Sequence, residues 1–222
     1  MQSALVQDSN SRTLGLDLLR ALIVNIVLIS HWFHQYGADH NFRTLAGSFA
    51  IEGFFVLSGF LIGNILIRGM ISKPEMSTVK RFVVRRWLRT LPNYYLFWCL
   101  NLLLVWYVSG NFRPRFEYLV FMQNFAWPMP GFYIQTWTMA IEEWFYISLP
   151  LALLLVLRSK STSSSRNILW LVLGVCVAAI AFRLYGSLVE GLDFRKLRKY
   201  TIYHFDAPVI GVLGSYLKYA AP

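Results

Sequence analysis

The chain alternates long apolar runs with short polar segments. A helix needs about 20 mostly apolar residues to cross the hydrocarbon core of a bilayer. Six runs come close to that length, namely Leu16–His34, Phe49–Gly69, Pro92–Ser109, Thr138–Leu157, Ile168–Ser187 and Tyr203–Tyr219. The pattern therefore predicts an all-α fold, a polytopic membrane helical bundle with about six transmembrane helices. The first run carries charged residues and lacks a small-residue cleavage site, which predicts a retained anchor rather than a signal peptide.

The segment between the second and third runs has the pattern of an amphipathic helix. Ser77 is a predicted N-cap, and Pro92 is predicted to end the helix. Basic residues recur at every fourth position with one more beside them, at Arg81, Arg85, Arg89 and Arg86. Apolar residues occupy the opposite face, which indicates an interfacial helix. Two interpretations stay open: the stripe binds lipid headgroups, or its planar guanidinium groups recognise phosphates.

Three other segments define the domain organisation. Residues 116–127 (FEYLVFMQNFAW) are apolar but too short to span, so they either lie along an interface or re-enter the membrane. Residues 159–165 (SKSTSSS) form a polar linker. We expect residues 1–13 to be a cytoplasmic N-terminal tail and residues 14–222 to form one membrane domain.

Composition narrows the class of protein. Hydrophobic residues make up 56% and charged residues 14% of the chain, which argues against a disordered chain and against a soluble enzyme. The net charge of +10 comes from basic residues clustered between apolar runs. It therefore favours anionic lipid headgroups or an anionic cofactor over nucleic acid. The two cysteines, Cys99 and Cys176, each lie inside an apolar run, so neither a disulfide framework nor a cysteine metal site is expected.

The loop charges predict the orientation. With the N-terminus inside, the inner segments hold twelve basic residues and the outer loops hold seven. The positive-inside rule therefore favours a cytoplasmic N-terminus. A basic loop at 195–199 falls on the outer side and runs against this trend.

The first run carries two ionisable residues on one helical face. Arg20 and His31 are eleven residues apart, which is about 16 Å along a helix and about 20° from a common face. Ionisable groups inside a membrane mark functional sites by default. The alternative is a snorkelling arginine at one helix end and a solvated histidine at the other.

Carboxylates and glycines mark the second and fourth runs. Glu142 and Glu143 are adjacent in an otherwise apolar stretch, so at least one is predicted to face the bundle interior. The alternative places both in solvent at the outer interface. Glu52 precedes ten apolar residues and is a further candidate for a functional residue. Gly59 and Gly63 form a small-xxx-small pair, which predicts close helix packing.

The predicted topology separates the ionisable residues into two groups. The outer group holds His31, Glu52, Glu142, Glu143, His204 and Asp206, and the inner group holds Arg20, Arg85, Arg86 and Arg89. His204, Asp206 and the nearby Arg183 are interpreted as interfacial anchors. This division suits a reaction in which a cytoplasmic phosphate-bearing donor serves an acceptor reached from outside.

Four motifs, in order over residues 14–150, resemble the integral-membrane acyltransferase family 3. They are Arg20-x10-His31, FFVLSGFL at 54–61, RRWLRTLP at 85–92, and WTMAIEEWFY at 137–146 with Pro150. This family contains bacterial O-antigen and exopolysaccharide O-acetyltransferases. Residues 151–222 match it only weakly. Members usually have more spans, so the resemblance implies a chain shortened at its C-terminus.

The resemblance implies a membrane O-acyltransferase of the bacterial inner membrane. It would move an acyl group, usually acetyl from acetyl-CoA, to a hydroxyl of a cell-surface glycan or a lipid-linked acceptor, with no metal. By resemblance His31 is the general base, Arg20 is its partner, and Glu142 is the family's acidic position. The resemblance assigns cofactor handling to Arg85, Arg86 and Arg89.

Two other functions stay open on the residues alone. A transporter or proton-relay protein would use the same intramembrane His, Glu and Arg residues. Against it, the chain has no inverted repeat and no pair of Gly/Pro-broken helices in matching halves. The second alternative is an inactive, truncated family member.

Overall fold

The computed structural model describes residues 14–35, 40–111, 113–158 and 164–220. Its α-helices are α1 (Leu14–Gln35), α2 (His40–Ser72), α3 (Met76–Ser109), α4 (Trp137–Arg158), α5 (Ser164–Leu188), α6 (Phe194–Lys199) and α7 (Asp206–Ala220). Short 3-10 helices lie at Phe116–Val120, Ile134–Thr136 and Thr201–Tyr203. These ranges contain no β-strand, so the all-α prediction is confirmed. The predicted tail at 1–13 and most of the linker at 159–165 lie outside the described residues.

Five of these helices, α1 to α5, are long and apolar enough to cross a membrane. Helix α7, which corresponds to the sixth predicted span, has 15 residues and falls short of the usual length. The prediction of a polytopic membrane bundle is confirmed, and the protein is an integral membrane protein.

The chain divides into two compact units, residues 1–57 and 58–222, with the boundary inside α2. In the first unit, α1 and the beginning of α2 pack as an antiparallel hairpin. A Cβ atom built on Gly53 would lie 3.5 Å from Ile23, and one on Gly47 would lie 3.4 Å from Ser30. The small residues of α2 therefore allow close approach to α1.

The second unit has an apolar core made by the end of α2 together with α4, α5 and α7. Its fully buried members include Leu66, Ile67, Leu153, Ile168 and Val212. Gly59 and Gly63 lie against α7: a Cβ on Gly59 would overlap the carbonyl oxygen of Pro208, and one on Gly63 would lie 3.1 Å from the Cα of Val212. The packing role predicted for this glycine pair is confirmed.

Helix α3 is longer than the sequence pattern predicts. It runs without a break from Met76 to Ser109 with Pro92 inside it, so the prediction that Pro92 ends the helix is wrong. At 34 residues the helix is about 51 Å long. Pro92 has no backbone N–H, so the helix lacks the hydrogen bond that this residue would otherwise donate to the carbonyl of Leu88. The predicted cap is also displaced, because Glu75 is the N-cap and Ser77 donates to its carboxylate at 2.9 Å.

The segment between α3 and α4 returns along α3. Tyr94 and Tyr95 donate their hydroxyl protons to the carbonyl oxygens of Tyr118 and Leu119, at 2.8 and 2.9 Å. Further along, Trp98 and Leu102 pack on the buried Tyr118. These contacts lie about 10 to 22 Å before the C-terminal end of α3, which is the arrangement expected of the re-entrant alternative.

The segment from α6 to the last 3-10 helix lies against the same connection. The amides of Thr201 and Ile202 donate to the carbonyls of Asn124 and Phe125, at 2.9 and 3.1 Å. At the opposite ends of the helices, Arg158 donates to the carbonyl of Pro74 at 3.3 Å. The 116–136 and 189–204 segments therefore share one side of the bundle, as the predicted topology requires.

Candidate functional site

A buried ion pair joins α3 to α4. The guanidinium group of Arg86 lies 3.3 Å from the carboxylate of Glu142, and their side chains are 25% and 10% exposed. The same guanidinium lies 3.4 Å from the ring centroid of Tyr146. Glu142 and Tyr146 are four residues apart on α4 and therefore share a helical face. One face of α4 thus holds Arg86 by charge and by cation–π contact.

The hydroxyl group of Tyr146 extends this network to α2. It shares a hydrogen bond of 2.6 Å with the Oγ of Ser58. The Nε of Arg86 is buried and has no hydrogen-bond partner among the described residues. This N–H is the donor that the network leaves available for another group.

Glu143 is held separately from Glu142. It accepts hydrogen bonds from the indole of Trp87 at 2.9 Å and from the hydroxyl of Thr90 at 3.3 Å. The residue is only 1% exposed. The prediction that at least one of the two glutamates faces the interior is confirmed, and both are buried.

These contacts correct one prediction. The topology predicted from the sequence puts Arg86 at the inner face and Glu142 at the outer face, but the two side chains are in contact. The prediction assumed that α3 begins its span at Pro92, whereas the continuous helix carries Arg86 to the level of Glu142. The acid and the arginine therefore form one site in the interior.

The other two arginines of the basic motif have different surroundings. Arg85 and Arg89 are exposed, and neither forms an ion pair or hydrogen bond in the described part of the chain. They lie four residues apart and share a face of α3. The basic motif at 85–92 thus divides into one arginine turned into the bundle and two exposed arginines, Arg85 and Arg89.

The two ionisable residues predicted to share a face of α1 both lie in the first unit. Arg20 and His31 lie on one continuous helix, as predicted, and both are exposed. Arg20 also forms an ion pair with Asp17 at 3.1 Å. Glu52, on α2, is half-buried.

A second polar cluster joins α5 and α7. Arg183 pairs with Asp206 at 3.0 Å and donates from Nε to the carbonyl of Tyr203 at 2.8 Å. His204 is fully buried, and its Nδ1 lies 2.6 Å from the carbonyl oxygen of Arg198. Arg183 and Asp206 thus pair with each other, and His204 contacts the backbone of α6. The interpretation of these residues as interfacial anchors stays a prediction.

Sequence reasoning missed several members of these networks. Ser58, Trp87 and Tyr146 lie within the motifs quoted above, and the four-residue spacing from Glu142 could have indicated Tyr146. Asn124 was also missed. Its amide donates to the carbonyls of Trp137 at 3.1 Å and Lys199 at 2.5 Å, and the signal for it was the pair of amides in an apolar segment.

No group of three or more His, Cys, Asp or Glu side chains in the described ranges could hold a metal ion. The chemistry that the second unit offers is that of a buried carboxylate–guanidinium pair with tyrosine and serine hydroxyls. The absence of a metal from the reaction stays a prediction.

The chain is similar in sequence to bacterial proteins named as O-acetyltransferases. The chain is 30% identical over 184 residues to the peptidoglycan O-acetyltransferase OatA of Listeria monocytogenes, covering 72% of this chain and 27% of that protein. It is 29% identical over 192 residues to the putative peptidoglycan O-acetyltransferase YrhL of Bacillus subtilis, covering 77% and 28%. A putative O-acetyltransferase of Staphylococcus aureus is 27% identical over 224 residues, covering 91% and 34%.

The chain thus spans between a quarter and about a third of the length of these curated relatives. No solved structure matches it significantly. The acyltransferase domain family matches residues 13–219, a range that contains all four motifs and the Arg86–Glu142 site. The chain belongs to acyltransferase family 3.

Proposed function

We propose that this protein transfers an acyl group, most simply acetyl from acetyl-CoA, to a hydroxyl of a cell-surface glycan. The observation that carries the proposal is the family match over residues 13–219, together with the similarity to relatives named as peptidoglycan O-acetyltransferases. The buried Arg86–Glu142 pair supports it, because charged groups are costly inside a membrane and are kept at functional sites.

His31 is the proposed general base. A sugar hydroxyl is a weak nucleophile and needs a positioned base, and histidine is suited to that near neutral pH. The imidazole takes the hydroxyl proton while the oxygen bonds to the thioester carbonyl carbon. The carbon–sulfur bond then breaks, and the proton passes to the departing thiolate. Arg20 is the proposed partner of His31.

Arg85 and Arg89 are the proposed contacts for the phosphates of the donor. Their exposed side chains and shared helical face fit an anionic ligand. One guanidinium group can also bind two phosphate oxygens at once. Arg86 connects this stripe to Glu142, so a donor held at the stripe would lie beside the carboxylate. We assign Glu142 the role of holding Arg86 in place, so that the Nε–H group of Arg86 can bind the donor.

The proposed location is the bacterial inner membrane with a cytoplasmic N-terminus. The excess of basic residues in the predicted inner segments supports this orientation. The basic stripe of α3 would then meet the cytoplasm, where acetyl-CoA is made, and the connection at 116–136 would lie on the acceptor side.

Transfer of radiolabelled acetyl from acetyl-CoA into cell-wall glycan tests the proposal. Membranes carrying the full protein should incorporate alkali-labile label, and His31→Gln should lower the rate by at least about a hundredfold. His34→Gln, on the other histidine of α1, is the matched control and should retain activity.

Two results would contradict this assignment. If the unmodified protein incorporates no label although it is inserted and folded, the proposed reaction is wrong. If His31→Gln keeps near-normal turnover, His31 is not the base, and the base must be sought among Glu52, Glu142 and Glu143.

A further inference from the structure

The short helix α6 has its backbone fixed by other parts of the second unit. The carboxylate of Asp193 accepts from the amide of Lys196 at 2.8 Å and caps the helix. Buried His204 lies 2.6 Å from the carbonyl of Arg198, and buried Asn124 donates to the carbonyl of Lys199 at 2.5 Å. Segments 124–125 and 201–204 therefore hold this helix in one place.

The basic side chains of α6 differ in their surroundings. The guanidinium of Arg198 lies 5.4 Å from the ring centroid of Trp137. Lys196 and Lys199 are exposed, and no ion pair in the described part of the chain involves either. They are three residues apart, so both ammonium groups project from one side of the helix. The nearby carboxylates have local partners: Asp193 caps α6, and Glu190 accepts from Tyr203 at 3.0 Å.

This pair of lysines is unfavourable for the free protein. Like charges three residues apart repel, and basic residues are disfavoured in loops on the outer side of a membrane. A headgroup-binding helix would keep an apolar side for the bilayer. Among the α6 side chains that the structure describes, however, the apolar one is Leu197, which is buried among Tyr200 and Tyr203. A ligand outside the bilayer accounts better for two cations held on a fixed backbone.

We propose that Lys196 and Lys199 bind an acidic glycan polymer, whose carboxylate groups recur along the strand. The inference rests on the proposed function, because it gives the acceptor a charged contact on the side of the bundle that carries the 116–136 connection. Two cations on a fixed helix can hold successive carboxylates of one strand with little ordering of the protein. Exposed contacts of this kind add affinity and weaken as salt increases.

Binding to a defined polymer tests the proposal without any acyl donor. The full protein is placed in phosphatidylcholine nanodiscs, and its affinity for fluorescent polygalacturonate is measured at low and high salt, with neutral dextran as the reference. We expect K196Q/K199Q to weaken binding about five- to tenfold at low salt. K196R/K199R should retain binding, and K73Q/K80Q, which removes two exposed lysines from the other side of the bundle, should leave it unchanged.

Three results would overturn the proposal. The first is equal binding by the unmodified protein and K196Q/K199Q, and the second is equal binding of dextran and polygalacturonate. The third is that K196Q/K199Q loses bound phosphatidylglycerol in native mass spectrometry while polygalacturonate binding is unchanged, which would assign the lysines to lipid.

The acetyl-transfer assay separates this inference from the proposed function. Polymer binding that depends on Lys196 and Lys199 without any acetyl transfer would support the inference and refute the proposed function. Normal transfer with polymer binding unaffected by K196Q/K199Q would do the reverse.

Discussion

Breaking the Arg86–Glu142 pair should cost more than removing it entirely. At the observed separation of 3.3 Å, an effective dielectric constant of 20 gives an attraction of about 5 kcal/mol. Removing one partner leaves the other charge buried and uncompensated, which costs about 3–5 kcal/mol in well-buried pairs. Arg86 is 25% exposed and Glu142 10% exposed. We therefore expect about 2–3 kcal/mol for Glu142→Gln and about 3–4 kcal/mol for Arg86→Met.

The double variant R86M/E142Q should recover much of this loss. Methionine keeps apolar contact with the Tyr146 ring, and glutamine carries no charge, so neither residue leaves a buried ion behind. The double variant should be at least about 2 kcal/mol more stable than the sum of the single changes predicts. With about 2–4 °C per kcal/mol for a domain of this size, thermal unfolding in detergent can resolve the difference.

Acetyl transfer by the same four proteins separates a structural role from a functional one. We expect all three variants to be nearly inactive, because the guanidinium group or its orientation is lost in each. A stable, inactive double variant supports a direct part in transfer. A stable and active one would show that the pair only joins α3 to α4. Additive stability losses would refute the calculation, since the two charges would then not depend on each other.

Three further predictions concern packing, the polar connection and orientation. Gly59→Ala should destabilise the protein by about 1–2 kcal/mol, because the added Cβ would meet backbone atoms of α7. The control Gly69→Ala should be neutral or stabilising by up to about 1 kcal/mol. Equal unfolding temperatures of the two variants would contradict the close contact between Gly59 and α7. Asn124→Ala removes both hydrogen bonds of a buried amide and should cost about 1–3 kcal/mol, measured as a lower unfolding temperature and faster proteolysis between α3 and α4. After both native cysteines are replaced by serine, an impermeant maleimide should label Lys196→Cys but not Lys73→Cys in intact cells; the reverse pattern would invert the topology.

The membrane fold could be predicted from the sequence because hydropathy is a local property. A run of about 20 apolar residues identifies a span without reference to its neighbours. That at least one of Glu142 and Glu143 is buried could also be predicted locally, since adjacent positions on a helix cannot both turn away from the bundle; the burial of both was not predicted. Close packing at Gly59 was predicted, although its partner α7 was not, because only small residues permit such an approach.

The partners of these residues were not predictable in the same way. That Arg86 meets Glu142 depends on how far α3 continues beyond Pro92, and a proline inside a long helix has the same sequence signature as one at its end. The burial of His204 depends on the fold of the 189–204 segment over Trp137, which hydropathy does not encode. Roles for His31 and Arg20 came from the family resemblance and stay predictions.

The unbroken α3 also limits how this protein can vary in length. Arg85 and Arg89 precede Pro92, and Tyr94 and Trp98, which hold the 116–136 connection, follow it on the same helix. Adding or deleting one residue between Arg89 and Tyr94 would turn one half by about 100° relative to the other. Changes of about seven residues, two full turns, would nearly restore the alignment. We therefore expect insertions and deletions in natural variants to accumulate in the loops at either end of α3 and to be absent from this stretch.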